Sequence, residues 1–211
     1  MRLGVFGGTF DPVHNAHLFM AQLVLESAGL DKILFVPTSI VHHRHVPLMS
    51  AHHRAAMLRL AIAANTDFAL DLCDTDEAAT GYTADLLPRL GRRYQQDQLS
   101  FIAGADSLVR SSWRRLDEVL RQVDRFYVVM RGDVDERELV LAFEDFAPEE
   151  RARIEIIPGP RLTASSTLIR ERLHAGRSIR YLVPEPVWRY IEAHPQYARA
   201  VDEEVKTDTH A

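Results

Sequence analysis

The chain has 211 residues, 46% apolar and 26% charged, which fits a folded domain with a sizeable core rather than a disordered or fibrous chain. Acidic residues outnumber basic ones by 30 to 25, and a net charge of -5 argues against a protein that coats nucleic acid. The single Cys73 excludes an internal disulfide or a cysteine-built zinc site, and the richest apolar run, 18–25, is broken by Gln22 far below bilayer length.

In chain order, short apolar runs alternate with amphipathic stretches. Strands are predicted at 3–6, 33–36, 68–72, 99–103, 126–130 and 154–157, with helices at 16–27, 51–64, 83–94, 112–122 and 136–146 between them. Repeated strand–helix–strand order predicts an α/β fold: a doubly wound, Rossmann-like parallel sheet with helices on both faces. After the last strand, a helix over 166–175 closed by Gly176 and a short one over 185–193 after Pro184 form a small C-terminal helical appendage, about residues 160–200. Residues 1–200 read as a single domain, and 201–211, with Asp202, Glu203, Glu204 and Asp208, as an acidic disordered tail. No signal-like stretch develops before Gly4, Gly7, Gly8 and Asp11, so a cytoplasmic protein with no membrane partner is expected.

Doubly wound sheets bind ligands beyond the carboxyl ends of their strands. The first such loop is Gly7-Gly8-Thr9-Phe10-Asp11-Pro12-Val13-His14-Asn15-Ala16-His17. Adjacent glycines let the backbone turn sharply and approach a ligand, and the helix that follows offers N–H groups and a dipole to an anion. His14 and His17, spaced i, i+3, share one helix face, where imidazoles can donate to phosphate oxygens. The alternative is a turn whose histidines only cap or pack. Two other phosphate-binding designs fail. The only lysines are Lys32 and Lys206 against 23 arginines, so no Gly-Lys-Ser/Thr P-loop exists, and Gly4-x-x-Gly7-Gly8 does not fit the Gly-x-Gly-x-x-Gly dinucleotide fingerprint.

A second anion site is predicted at Thr163-Ala164-Ser165-Ser166-Thr167-Leu168-Ile169-Arg170. Hydroxyls at a helix start cap it or bind phosphate with the same geometry, and Arg170, one turn in, carries a guanidinium fork suited to phosphate.

Residues 8–17 resemble the signature of the nucleotidyltransferase superfamily with an HxGH-type motif, with Ala16 where that family usually has glycine; residues 163–170 resemble its (I/S)-S-S-T-x-I-R motif. Across residues 2–197 the chain is similar to the bacterial nicotinate-nucleotide adenylyltransferase family. Val36-Pro37 through Arg44 resembles its substrate loop, and Gly81-Tyr82-Thr83-Ala84-Asp85-Leu86-Leu87 its S-Y-T-x-x-T-L segment. Gly104-Ala105-Asp106-Ser107-Leu108 with Trp113 and Leu116 resembles G-x-D-x-L…W, and Ile179-Arg180-Tyr181-Leu182-Val183-Pro184 with Val187, Tyr190 and Ile191 resembles the family's ending.

The resemblance implies adenylyl transfer from ATP to nicotinate mononucleotide, with Mg2+ arriving on ATP and no protein metal site. It places His14, His17 and Arg170 as catalytic, and Gly7, Gly8, Thr9, Phe10, Gly104, Asp106, Ser165, Ser166 and Thr167 with them on ATP. It places Arg44, Tyr82, Thr83, Asp106, Trp113 and Arg131 on the mononucleotide, with Trp113 stacking on the pyridine ring and Asp106 bonding a ribose hydroxyl. Local readings stand beside these: Asp106 as a helix cap, Thr83 as a helix start, Trp113 as core. Five histidines between His42 and His53 invite a zinc reading, but no Cys or carboxylate lies among them. A preference for nicotinamide mononucleotide, a nucleotide-binding paralogue without turnover, and a homo-oligomer stay open. A dehydrogenase is disfavoured by the missing fingerprint.

Overall fold

The computed structural model describes residues 1–40, 47–110, 113–130, 134–160, 162–195 and 197, apart from the side chains of Arg110 and Glu136. Six strands, β1 (Arg2–Gly8), β2 (Lys32–Pro37), β3 (Phe68–Leu70), β4 (Gln98–Gly104), β5 (Phe126–Val129) and β6 (Ile154–Ile157), form one sheet in the order β3-β2-β1-β4-β5-β6. Every pairing is parallel, with Val5 opposite Leu34 on one side and Phe101 on the other. This is the doubly wound sheet expected from the sequence.

The near-continuous apolar strands are explained by burial on both faces. Phe6, Ile33, Phe35, Ile102, Tyr127 and Val129 point into one core, shared with α1 (Asn15–Ser27) and α2 (Ala51–Ile62). Their neighbours Val5, Leu34, Val36, Phe101, Ala103, Phe126 and Val128 point into the other, with α3 (Thr83–Arg93) and a later helix, Leu116–Gln122. The chain leaves β1 toward β2 but leaves β4 toward β5, so the loops after these adjacent strands diverge and open a crevice at their carboxyl ends.

The structure shortens two of the expected helices and adds a short one beside each. A short α4 (Ala105–Arg110) follows β4 directly, in a stretch to which the sequence pattern assigns no element, and the helix expected over 112–122 begins at Leu116 as α5. The helix expected over 136–146 stops at Leu141 as α6 (Glu136–Leu141). Residues 143, 144 and 146 then bond three residues back in tighter turns, and Pro148 opens α7 (Pro148–Arg151), where its missing N–H costs no helical bond. Strand β3 ends at Leu70 because the Asp71 carboxylate turns back to accept from the Cys73 N–H and starts a 3₁₀ turn.

The last two helices, α8 (Ser166–His174) and α9 (Glu185–Ala193), return to the α1–α2 face, where Ile169, Ile179, Val183, Val187 and Ile191 complete the core. Helix α9 packs on α2. At that seam His53 Nδ1 shares a hydrogen bond with the Tyr190 hydroxyl (2.7 Å), and the Tyr190 and His194 rings stack with centroids 4.0 Å apart. Burial, with His194 and His52 nearby, holds the His53 imidazole below its ordinary value of 6.5.

In the unfolded chain His53 protonates first, and the folded state resists that charge. The stability His53 confers is therefore present above the ordinary imidazole value and lost as pH falls through the lowered folded one. The melting temperature should drop from about pH 7.5 to about pH 5.5, and His53→Gln should flatten that drop; equal slopes by calorimetry would remove His53 from this account.

Candidate active site

The loop after β1 is shaped by close packing around its glycines. A Cβ on Gly7 would lie 3.2 Å from the Phe101 ring, and one on Gly8 3.1 Å from the Phe10 ring. Phe10 itself holds a left-handed φ of 51°, unfavourable for an aromatic residue. Its buried ring stands edge-on to Phe6 (5.6 Å) and His17 (5.0 Å), so the turn and the second histidine are anchored by one aromatic cluster.

His14 occupies the N-cap of α1 in extended conformation and is 1% exposed. Its ring stacks on that of His17 at 3.7 Å and 22°. The His14 backbone N–H donates to His17 Nδ1 at 3.3 Å. A nitrogen that accepts cannot carry the proton, so the neutral His17 ring holds its hydrogen on Nε2, as a donor. One donor at the helix start is taken up within the chain: the Asn15 N–H donates to the Leu182 carbonyl (2.9 Å), and the Asn15 amide to the Tyr181 carbonyl (2.7 Å).

The serine-rich segment meets this loop directly. Ser166 Oγ donates to the Pro12 carbonyl and Arg170 Nη1 to the Asp11 carbonyl, both at 3.0 Å, across sequence separations of 154 and 159. Ser165 caps α8, its hydroxyl accepting from the Leu168 N–H at 3.1 Å, which is the local reading of that residue. Thr167 Oγ1 accepts from Arg170 Nη2 at 3.4 Å. Two further side chains complete the setting. Asp11 Oδ2 accepts from the Leu48 N–H (2.7 Å), and burial pushes its carboxyl above the usual range despite that bond and the nearby Arg170 and Arg54. Arg54, 1% exposed, donates from Nε to the Met49 carbonyl (3.1 Å) and from Nη1 to the Thr9 carbonyl (2.6 Å). Sequence reading passed over Arg54. The signal was there: it shares the face of Met57 and Leu58, and a charge on an apolar stripe needs a specific partner.

The other predicted residues lie around the same end of the sheet. Gly104 closes β4 and Asp106 sits in the first turn of α4, half-exposed. Tyr82 is the N-cap of α3 and Thr83 its first residue. Their turn is set against the loop after β2, because Gly81, at φ 73°, leaves only 2.5 Å between a would-be Cβ and the Ile40 carbonyl. Trp113 is half-buried, edge-on to Phe101 (5.9 Å) and Phe126 (5.8 Å), with its indole N–H donating to the Ser107 carbonyl at 3.1 Å. Arg44 and Arg131 lie outside the described residues, as do His42, His43, His45 and the acidic tail. Cys73, buried beside Asp71, has its thiol pushed up to about 12 and is no nucleophile.

A family model described as cytidylyltransferase-like matches residues 5–172. Nicotinate-nucleotide adenylyltransferase of Bacillus subtilis is 38% identical over 198 residues, 93% of this chain and 98% of the relative. Among solved structures, nicotinic acid mononucleotide adenylyltransferase of Plasmodium falciparum superimposes with a TM-score of 0.73 at 19% identity, covering 93% of this chain, in one structure complexed with APC and in another with NaAD. The shares of the two solved chains that are covered are 96% and 97%.

The bonds that join the two ends of the chain can be tested without ligand. Ser166→Ala should lower unfolding free energy by about 1 kcal/mol, and Arg170→Ala by about 2 kcal/mol, since its donor is charged. Because both hold one turn, the double variant should depart from additivity in urea denaturation; strict additivity would mean that the turn does not act as a unit.

Proposed function

The chain belongs to the cytidylyltransferase-like family and, within it, to the nicotinate-nucleotide adenylyltransferases, and on that premise we propose how its residues carry the reaction. The enzyme transfers the adenylyl group of ATP to nicotinate mononucleotide, giving nicotinate adenine dinucleotide and pyrophosphate. A phosphate oxygen of the mononucleotide attacks the α-phosphorus, and the bond from that phosphorus to the bridging oxygen breaks. The attacking phosphate is already ionised at neutral pH, so no general base is needed. Catalysis reduces to bringing two anions into line and stabilising charge at the α-phosphorus.

The observation that best supports this assignment is the contact of Ser166 and Arg170 with the Asp11–Pro12 turn, which puts the histidine pair and the serine-rich helix start beside one crevice. In this reading His17, its Nε2–H set by the backbone bond at Nδ1, donates to the α-phosphate as charge builds, with His14 stacked beside it. Gly7 and Gly8 admit the triphosphate, and the backbone of Thr9 and Phe10 faces it. Ser165, Ser166, Thr167 and Arg170 lie toward the β- and γ-phosphates, Gly104 toward the adenosine, and Asp106 toward both nucleotides. Tyr82, Thr83 and Trp113 face the mononucleotide, with Arg44 and Arg131 assigned to it by resemblance alone. Trp113, with its N–H already engaged, would offer a ring face rather than a hydrogen bond.

Enzymes of this family act with a divalent cation and ATP; here Mg2+ is proposed. Among the described residues no group of three His, Cys, Asp or Glu side chains could hold a metal. The site's hydroxyls, imidazoles and guanidinium suit phosphate oxygens, so the ion would ride on the triphosphate, neutralising charge there. We place the activity in the cytoplasm, in a single unit over residues 1–200; no helix among the described residues is long and apolar enough to cross a membrane.

His17→Ala should lower kcat by about 10²–10³, the usual effect of losing one transition-state donor, with little change in KM for ATP. Pyrophosphate release with each mononucleotide is the assay. Wild-type turnover in the variant would remove His17 from its role, faster reaction with nicotinamide mononucleotide would reverse the substrate preference, and ATP binding without turnover in the unaltered enzyme would sink the assignment.

A further inference from the structure

We propose that Arg54 is a positioning residue for the ATP-binding turn: its buried guanidinium holds the Thr9 carbonyl, and thereby sets the direction in which the Phe10 N–H faces the triphosphate. The inference rests on the adenylyltransferase reading above and deepens it. Arg54 is among the largest fully buried side chains of the protein, and it sits in α2, outside the motifs that the function absorbs. A buried guanidinium is costly, and an apolar side chain of similar volume is often as stable or more so in such a place. A core-filling role therefore does not account for an arginine here.

Its partners do account for it. Nη1 takes the Thr9 carbonyl at 2.6 Å while Nε takes the Met49 carbonyl at 3.1 Å, so the guanidinium plane is fixed at two points. Asp11 supplies the facing negative charge. In a planar trans peptide the N–H points opposite to the carbonyl. With the Thr9 carbonyl turned inward onto Arg54, the Phe10 N–H is turned outward, away from α2. Phe10 holds a left-handed φ of 51°, so the turn needs outside support to stay in this shape. That support arrives at three carbonyls of the turn, with Arg54 on Thr9, Arg170 on Asp11 and Ser166 on Pro12. Arg54 is the one of the three that comes from outside the serine-rich segment.

The test compares Arg54→Gln and Arg54→Lys with Met57→Ala, a core deletion in the same helix that leaves the Thr9 carbonyl untouched. Each is assayed below its melting temperature for kcat and for KM with ATP and with nicotinate mononucleotide. Displacing the turn should lower kcat/KM for ATP by about ten- to a hundredfold, in keeping with the cost of small misplacements. KM for the mononucleotide should stay within about twofold. Arg54→Lys, which keeps the charge beside Asp11 but loses the fork, should fall between Arg54→Gln and the unaltered enzyme, and it carries the test if Arg54→Gln does not fold. Met57→Ala should lose stability but keep both KM values. A folded Arg54 variant with unchanged kcat/KM for ATP, an equal rise in both KM values, or the same ATP defect in Met57→Ala would overturn the proposal. The unaltered enzyme's turnover is measured alongside, so failure of the adenylyltransferase assignment itself would be seen separately.

Discussion

A turn built from two glycines and an aromatic residue in left-handed conformation does not keep its shape by local forces. Here it is held by side chains that arrive from distant parts of the chain onto its carbonyls: Arg54 from α2, Ser166 and Arg170 from α8. Each bond alone contributes little net stability, because folding exchanges it for bonds to water. Their joint effect is to fix a set of peptide planes, and with them the N–H groups that an anion would meet. If the turn binds the triphosphate as proposed, substrate recognition and the closing of the fold rest on the same set of contacts.

The histidine pair depends on that arrangement in turn. His14 caps α1 only because the turn delivers it in extended conformation, and its own N–H then selects the proton position on His17. The His17 ring is also wedged against Phe10, whose place depends on the glycine beside it. In the proposed reaction, a hydrogen-bond donor held this way would need no reorganisation as charge develops at phosphorus, which is what electrostatic catalysis requires. Ala16, buried at the helix start where the family usually has glycine, is accommodated within this packing.

Most of the sheet was legible in the sequence because its central strands are buried on two faces and so appear as unbroken apolar runs, as 33–36 and 126–129 do. The signature loop was legible because its glycines and phased histidines carry their chemistry in local spacing. What escaped was set by long-range contact. Helix α4, too short to show a helical period, forms where β4 delivers Ala105 and Leu108 into the second core, and the chain beyond Leu141 leaves the expected helix as Phe143 joins that core. Ser165 follows its local preference as a cap, while Ser166, its neighbour of the same type, reaches across to Pro12. No spacing rule distinguishes the two. Arg54 was visible as a misplaced charge but its partner, 45 residues away, was not.

The Asn15 side chain and backbone both bond carbonyls at Tyr181 and Leu182, beyond α8. On the ribosome, therefore, the first helix emerges long before its own entrance is finished. The donors of Asn15 find their partners only once the segment around residue 180 has left the exit tunnel and folded back onto that entrance.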